Sequence, residues 1–423
     1  MNEYLRSTLI RLCKQPRSFE FISKNLSGLD PVEAMQLLRE LETNGELVCI
    51  NEMWCIKEVS ANATLALYPM ESERKIQKYM GYFDFLKTPH PLDFEWRNSS
   101  VSLQRLLGKV QKLVAPNDRL LFLGMPTLFA TAIEKDLSNK IRLIERNSPI
   151  IAGLKKINTD PARFQTVEAD IFTLNPDTVT GNYCVVMDPP WYTPHFFQFM
   201  WLAAKTVSIG GIVAISAPPI NTRPNIIDER IDWFTFCRKL GLCIETLEPQ
   251  QLQYAMPFFE FNALRAAGIK NILPFWRKGD LLIFRKVEEV SIDRPEHTLI
   301  QSEWAEREYN TTRIRVKIST EKETSNTDNF EFEPLVKGDI LPTVSSRDER
   351  RKNVNVWTSG NRIFKCTNPQ EIIRTIDNIV RDNDLSEVQM QIKIWLDLIT
   401  ELETAEFNEY LEWIYYEMER QTD

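Results

Sequence analysis

The sequence predicts an α/β protein: a Rossmann-like sheet of largely parallel strands over residues 119–288, with a winged helix before it and an α+β and helical extension after it. Three observations carry this. Between Arg119 and Val287, short β-rich runs alternate with segments of helical period, the signature of successive βαβ units. One of those runs, Cys184-Val185-Val186-Met187, stops abruptly at Asp188-Pro189-Pro190-Trp191-Tyr192. A buried parallel strand reads this way when it delivers a rigid loop to the carboxyl edge of a sheet, where ligands are commonly held. Finally, the first 60 residues show three short helical patterns followed by a candidate hairpin.

Length and charge narrow the function classes. With 423 residues, 43% hydrophobic and 26% charged, the chain can bury two or three domain cores without disulfide staples. Its seven cysteines are an odd number in apolar contexts with no C-x-x-C pair, so buried free thiols are expected. His90, His195 and His297 lie far apart, giving little basis for a histidine metal site or a Ser-His-Asp triad. Chemistry is therefore expected to rest on an organic cofactor and on positioning. No run of about 18 apolar residues occurs, and Met1-Asn2-Glu3-Tyr4 lacks a signal-peptide pattern, so a cytoplasmic protein with no membrane span is expected. The net charge of −8 works against a broad grip on nucleic acid, leaving room only for a local basic groove.

Taken in order, Tyr4, Leu5, Leu9, Ile10 and Leu12 recur at helical spacing, Phe19 to Leu26 fits a second helix, and Asp30-Pro31 opens a third. Glu46–Ile50 and Met53–Ile56 flank Asn51-Glu52 as a hairpin would. The third helix carries Glu33, Glu40 and Glu42 against Arg39, which favours a protein or dimer contact over DNA reading by this module. Residues 61–118 form a linker and a lead-in helix. Within them Thr88-Pro89-His90-Pro91-Leu92-Asp93-Phe94-Glu95-Trp96-Arg97 is rigid, aromatic and charged, which suits a segment lying across the next domain; Asp93, Glu95 and Arg97 are candidates for its substrate side.

The central domain then runs from Leu120–Leu123, through the turn Gly124-Met125-Pro126-Thr127, to a helix at 128–136. Ile141–Ile144 ends in Glu145, Phe164–Val167 leads to Asp170, the fourth strand ends at Asp188, and Ile212–Ile215 follows Gly210-Gly211. Leu281–Phe284 is a seventh-strand candidate, with Phe258, Phe259 and Glu260 before it as candidate substrate-cleft residues. Residues 289–365 are polar, with Thr311–Lys317 the clear strand and a loop-like tract at Ser319–Asp328. Arg347, Arg350, Arg351, Lys352 and Arg362 form the best candidate phosphate-contacting cluster. From 366 to 423 the chain is helical, its exposed side expected to be acidic (Glu401, Glu403, Glu406, Glu409, Glu417, Glu419) and to suit a protein partner or self-association.

Asp188-Pro189-Pro190-Trp191 resembles the DPPW/DPPY motif of S-adenosyl-L-methionine-dependent methyltransferases that modify exocyclic or primary amines, and its setting resembles the class I methyltransferase fold. The resemblance implies that Asp188 and the Pro189 carbonyl accept the two amine hydrogens, that Pro190 stiffens the loop, and that Trp191 or Tyr192 stacks on the substrate. A sharp turn at Gly124 would meet the cofactor's amino-acid end, Glu145 its ribose hydroxyls and Asp170 its adenine. The first turn departs from the family, which generally shows several glycines there. Pro126 gives up a backbone donor, and the Thr127 hydroxyl would take its place.

Trp191 points to adenine N6 of nucleic acid as the methyl acceptor. The motif order, winged helix and lead-in also resemble the branched-chain polyamine synthases, which are aminopropyltransferases, although Met125-Pro126-Thr127 stands where their acidic stretch belongs. A protein-lysine methyltransferase and a non-catalytic scaffold of the same fold are further alternatives.

Overall fold

In the first of the chain's two units, sequence-local signals set the small N-terminal module. The structure, a computed structural model, describes residues 3–57, 86–93, 95–296, 304–318 and 330–421, with side chains to 415 in the last helix. Residues 61–85 of the expected linker, Phe94, His297 and the tract 319–328 lie outside them, as do the side chains of Glu417 and Glu419. Contacts divide the chain into one unit of residues 1–87, 97–255 and 271–297 and another of residues 88–96, 256–270 and 298–423.

The first unit begins with α1 (Glu3–Leu12), β1 (Arg17–Ser18), α2 (Phe19–Lys24), α3 (Pro31–Thr43), β2 (Leu47–Ile50) and β3 (Met53–Ile56), the strands pairing in the order β1-β3-β2. Ser18 caps α2, and Asp30 caps α3 with Pro31 at its first turn. Asn51 and Glu52 both take positive φ (49° and 64°), the left-handed pair that lets a two-residue loop close β2 on β3.

Next come β4 (Arg97–Asn98), α4 (Ser100–Leu113), β5 (Arg119–Leu123), α5 (Pro126–Glu134), β6 (Lys140–Glu145), α6 (Ser148–Ile157), β7 (Phe164–Glu168) and β8 (Asn182–Met187). They are followed by α7 (Thr193–Thr206), β9 (Val207–Ala217), α8 (Ile226–Lys239), β10 (Leu242–Ala255) and β11 (Lys278–Lys286). These strands build an eight-stranded sheet in the order β4-β10-β11-β9-β8-β5-β6-β7. Strands β5 to β9 are parallel, and β11, β10 and β4 run antiparallel to their neighbours. β5 pairs with both β6 and β8, so the loops leaving β5 and β8 diverge and open a crevice at the carboxyl edge. The parallel strands read as continuous apolar runs because both faces are covered: Leu121, Leu123, Val185, Met187, Val213 and Ile215 pack with α7 and α8 in one core.

The second unit holds α9 (Phe258–Ala266), the five-stranded sheet β12-β13-β15-β16-β14, and two helices. Its strands are β12 (Trp304–Tyr309), β13 (Thr312–Lys317), β14 (Phe332–Pro334), β15 (Val356–Thr358) and β16 (Ile363–Cys366); its helices are α10 (Gln370–Val380) and α11 (Glu387–Gln421). Ile314, Val316, Val356, Phe364, Ile372, Ile376, Ile392 and Leu396 form its core. The lead-in segment belongs here: Asp93 pairs with Arg313 at 2.6 Å and with Arg315, and buried His90 lies 3.1 Å from the Trp357 carbonyl.

Three expectations are corrected. Glu403 is not on an exposed acidic side but 2% accessible, and Glu406 beside it pairs with Arg362 at 2.6 Å. Arg362 is itself buried, so it is an internal ion-pair partner. Cys243 is exposed and Cys49 half-buried, whereas the other five thiols are buried.

Candidate active site

β8 is apolar to its last residue, then Asp188-Pro189-Pro190 ends pairing, because proline has no N–H to continue the ladder. Asp188 is thereby held at the carboxyl edge with part of its surface accessible. Two side chains bind it: the Tyr254 hydroxyl donates to Oδ1 at 2.8 Å, and the Asn98 amide donates to Oδ2 at 3.2 Å. Ser216, near the end of β9, contributes a further hydrogen bond. Burial dominates over these bonds and pushes the carboxyl up to about 6, and no cationic side chain pairs with it among the described residues.

The two donors come from facing positions, since Asn98 and Tyr254 are register partners across β4 and β10. The two-residue strand β4 is fixed by the helix behind it: Ser99 caps α4 through the Ser102 amide, while the Ser99 amide donates to the Gln253 carbonyl at 2.7 Å. Asn98 is 6% accessible, and its Oδ1 has no partner among the described residues. An acceptor of this kind, beside a carboxylate, suits an amine hydrogen. Neither Asn98 nor Tyr254 was marked by the sequence reading. A hydrophilic Arg-Asn-Ser-Ser stretch and a lone tyrosine carry no motif; only the long-range strand pairing brings them together.

Trp191 is held edge-on, its indole N–H donating to Ser216 Oγ at 3.3 Å and its ring T-shaped against Tyr254 at 5.6 Å. This packing demands Gly279 on β11, where a Cβ would come within 2.7 Å of Ser216 Oγ and 3.1 Å of the Trp191 ring. Tyr192 caps α7 and lies 6.0 Å from His195, which meets Phe172 edge-on at 5.3 Å. The aromatic row therefore runs from the loop after β8 towards the loop after β7.

The candidate cofactor residues fall along the same edge. Gly124 closes β5 at φ +63°, a turn a side chain would strain, and donates to the Ile144 carbonyl at 3.0 Å. Pro126 opens α5, Met125 before it makes no side-chain cap, and Thr127 is buried. The Glu145 Oε1 accepts the Asn147 amide at 2.9 Å, and Asp170 Oδ1 accepts the Phe172 amide at 2.9 Å. Along this edge lie a helix start without a side-chain cap, then Glu145 at the end of β6 and Asp170 just beyond β7.

Arg97 is buried on β4 in the first unit, donating to the Lys87 carbonyl, and the other remaining candidates sit in the second unit. Phe258 packs with Phe407 and Tyr410, Phe259 meets Trp96 edge-on at 5.4 Å, and Glu260 accepts the Trp96 indole N–H at 3.2 Å; all three are buried. Arg350 binds Asp348 at 2.6 Å, Lys352 pairs with Glu349, and Arg351 lies over Trp357 at 4.5 Å; Arg347 is exposed. Most of the expected phosphate-contacting charge is thus taken up within its own loop.

No family profile matches the chain, and no curated protein sequence does. Solved structures do resemble it. The branched-chain polyamine synthase C9 mutein from Thermus thermophilus, in complex with N4-aminopropylspermidine and 5'-methylthioadenosine, is 13% identical with a TM-score of 0.51, covering 70% of this chain and 91% of its own. The parent synthase gives 12%, 0.50, 69% and 88%. A putative RNA methyltransferase from Pyrococcus horikoshii gives 16% identity and a TM-score of 0.36 over 50% of this chain and 94% of its own. With the strand order above, the likeness to the two synthase structures shows the fold alone: the eight-stranded sheet is Rossmann-like.

Proposed function

We propose that this chain is an S-adenosyl-L-methionine-dependent transferase that alkylates an amine nitrogen held at Asp188, in the first instance an N-methyltransferase. The observation that carries the reading is the Asp188 carboxylate: at the sheet's ligand edge, without a protein cation, and oriented by Tyr254 and Asn98. The cofactor supplies an electrophilic carbon on a sulfonium. The protein's part is to aim an amine lone pair at it. Asp188 would accept one of the amine's two hydrogens and either the Pro189 carbonyl or the Asn98 Oδ1 the other, leaving its lone pair free along the transfer axis. Gly124, Pro126, Thr127, Glu145 and Asp170 would hold the nucleoside.

Adenine N6 is the acceptor favoured by the Asp188-Pro189-Pro190-Trp191 sequence. A second reading, aminopropyl transfer to a polyamine, is favoured by one observation: the fold shared with 91% of a polyamine synthase. Calorimetry separates them. Binding of S-adenosyl-L-methionine and S-adenosylhomocysteine supports methyl transfer; preference for the decarboxylated cofactor transfers support to the second reading. Failure of all three to bind overturns both and leaves a scaffold.

A further inference from the structure

We infer that the opposite, amino edge of the same sheet carries a binding site for a small phosphate-bearing anion, independent of the amine chemistry at Asp188. A cavity of about 160 Å³ opens there, lined by Arg119, Lys140, Arg142, Arg163, Gln165 and Asn182 among others. The strand register explains how the charges meet. Arg119 pairs with Lys140, and Arg142 with Gln165, as lateral neighbours across β5, β6 and β7. Side chains two apart on a strand share a face, so Arg119, Lys140 and Arg142 project from one face of the sheet.

Among the described residues, no acid pairs with Arg119, Lys140 or Arg142. Arg163 takes both nearby acids, pairing with Asp136 and, at 3.2 Å, with Asp160. The Asp118 carboxylate is turned back to the Ala115 amide at 2.7 Å. Arg142 bonds only neutral acceptors, Gln165 Oε1 at 3.3 Å and the Thr178 carbonyl at 3.3 Å. Arg119 and Lys140 have no acidic partner among the described residues. Like charges on facing strand positions repel, although the chain as a whole carries a net charge of −8. Two guanidiniums and an ammonium around a small opening match the geometry and charge of a phosphate group. The cavity admits one or two phosphates, not a whole nucleotide with its base.

β5 is five residues long, so the site lies roughly 16 Å along the strand from the Gly124 turn, and its ligand would not reach the amine. The test titrates the full chain with sodium pyrophosphate in low-salt, phosphate-free buffer. Saturable binding of one equivalent is expected, with a rise in melting temperature. The triple substitution Arg119→Gln, Lys140→Gln, Arg142→Gln should weaken it at least tenfold. Lys337→Gln with Lys365→Gln, at exposed positions in the second unit, should leave it unchanged. Absence of saturable binding, or equal losses in the two variants, overturns the site. Binding of duplex DNA that disappears in the triple variant, with none of pyrophosphate, also overturns it and assigns the edge to a nucleic-acid backbone.

Discussion

At the scale of single residues, Asp188 is a group the fold holds against its own stability. Its carboxyl is raised from 3.8 to about 6, chiefly by burial. A folded-state value above the unfolded one means that its contribution to stability is present below pH 3.8 and lost as pH rises through about 6. At neutral pH the ionised form therefore costs on the order of 3 kcal/mol. Asp188→Asn should melt higher than the parent at pH 7.5 and not at pH 3.5, because the Asn98 Oδ1 can turn to accept the new amide. Transfer should fall about a hundredfold or more, since a misaimed nucleophile loses that much. An unchanged or lower melting temperature at pH 7.5 would show that the charge is not the source of strain. The parent's transfer rate should drop on acidification with a midpoint near 6. In Tyr254→Phe the same limb should move to higher pH, because a bond that favours the ionised form is gone; a limb that stays put would leave Tyr254 a packing residue. Asp188 was legible because its acid, prolines and aromatics are adjacent in sequence. Asn98 and Tyr254 were not, since each acquires its role through a pairing 156 positions apart in the chain.

Elements were legible in proportion to how local their causes are. β5, β6, β7 and β8 are short apolar runs and appear within a residue or so of their expected bounds. β10 escaped notice because Glu245, Glu248, Pro249, Gln250 and Gln251 break its alternation, and the strand absorbs them through register shifts and a positive φ at Gln250. β12 and β14 fall in the stretch whose polarity leaves only Thr311–Lys317 clear as a strand; β12's Glu306 and Arg307 are charged yet engaged in ion pairs. Among these elements β11 bears most directly on the site. Gly279→Ala would force its Cβ against Ser216, Trp191 and Tyr254, none of which is a flexible chain end. Overpacking of this kind costs about 1–3 kcal/mol. The expected outcome is a folded variant that binds S-adenosylhomocysteine near the parent's affinity while transfer falls at least tenfold. Loss of cofactor binding to the same extent would place β11 on the nucleoside side instead.

For the whole molecule, an acidic net charge conceals a division of labour. Among the described residues the first unit leaves Arg119 and Lys140 without an acidic partner, whereas the second buries Arg362 and Glu403 together. Glu403 on α11 is nearly inaccessible, bonded to Thr358, to Ser359 Oγ at 3.2 Å and to the Gly360 amide at 2.9 Å. Arg362 lies 3.5 Å away, shared with Glu406, which also accepts the Asn262 amide at 3.0 Å. Burial lifts Glu403 from 4.5 to about 7, over the opposing pull of Thr358, Arg362 and Ser359. The sign follows as for Asp188: its stabilising contribution is complete below pH 4.5 and is lost as pH rises through about 7. Gln at this position mimics the protonated acid and still accepts from the Gly360 amide. Glu403→Gln should therefore melt with the parent at pH 4.5 but hold its melting temperature between pH 5 and 8, where the parent declines. The tryptophans Trp304, Trp357, Trp395 and Trp413 all lie in this unit, so fluorescence weighted to them reads the transition. A variant that melts below the parent at pH 8 would mean that the Glu403–Arg362 attraction outweighs burial, and that the second unit is held by an ionised core.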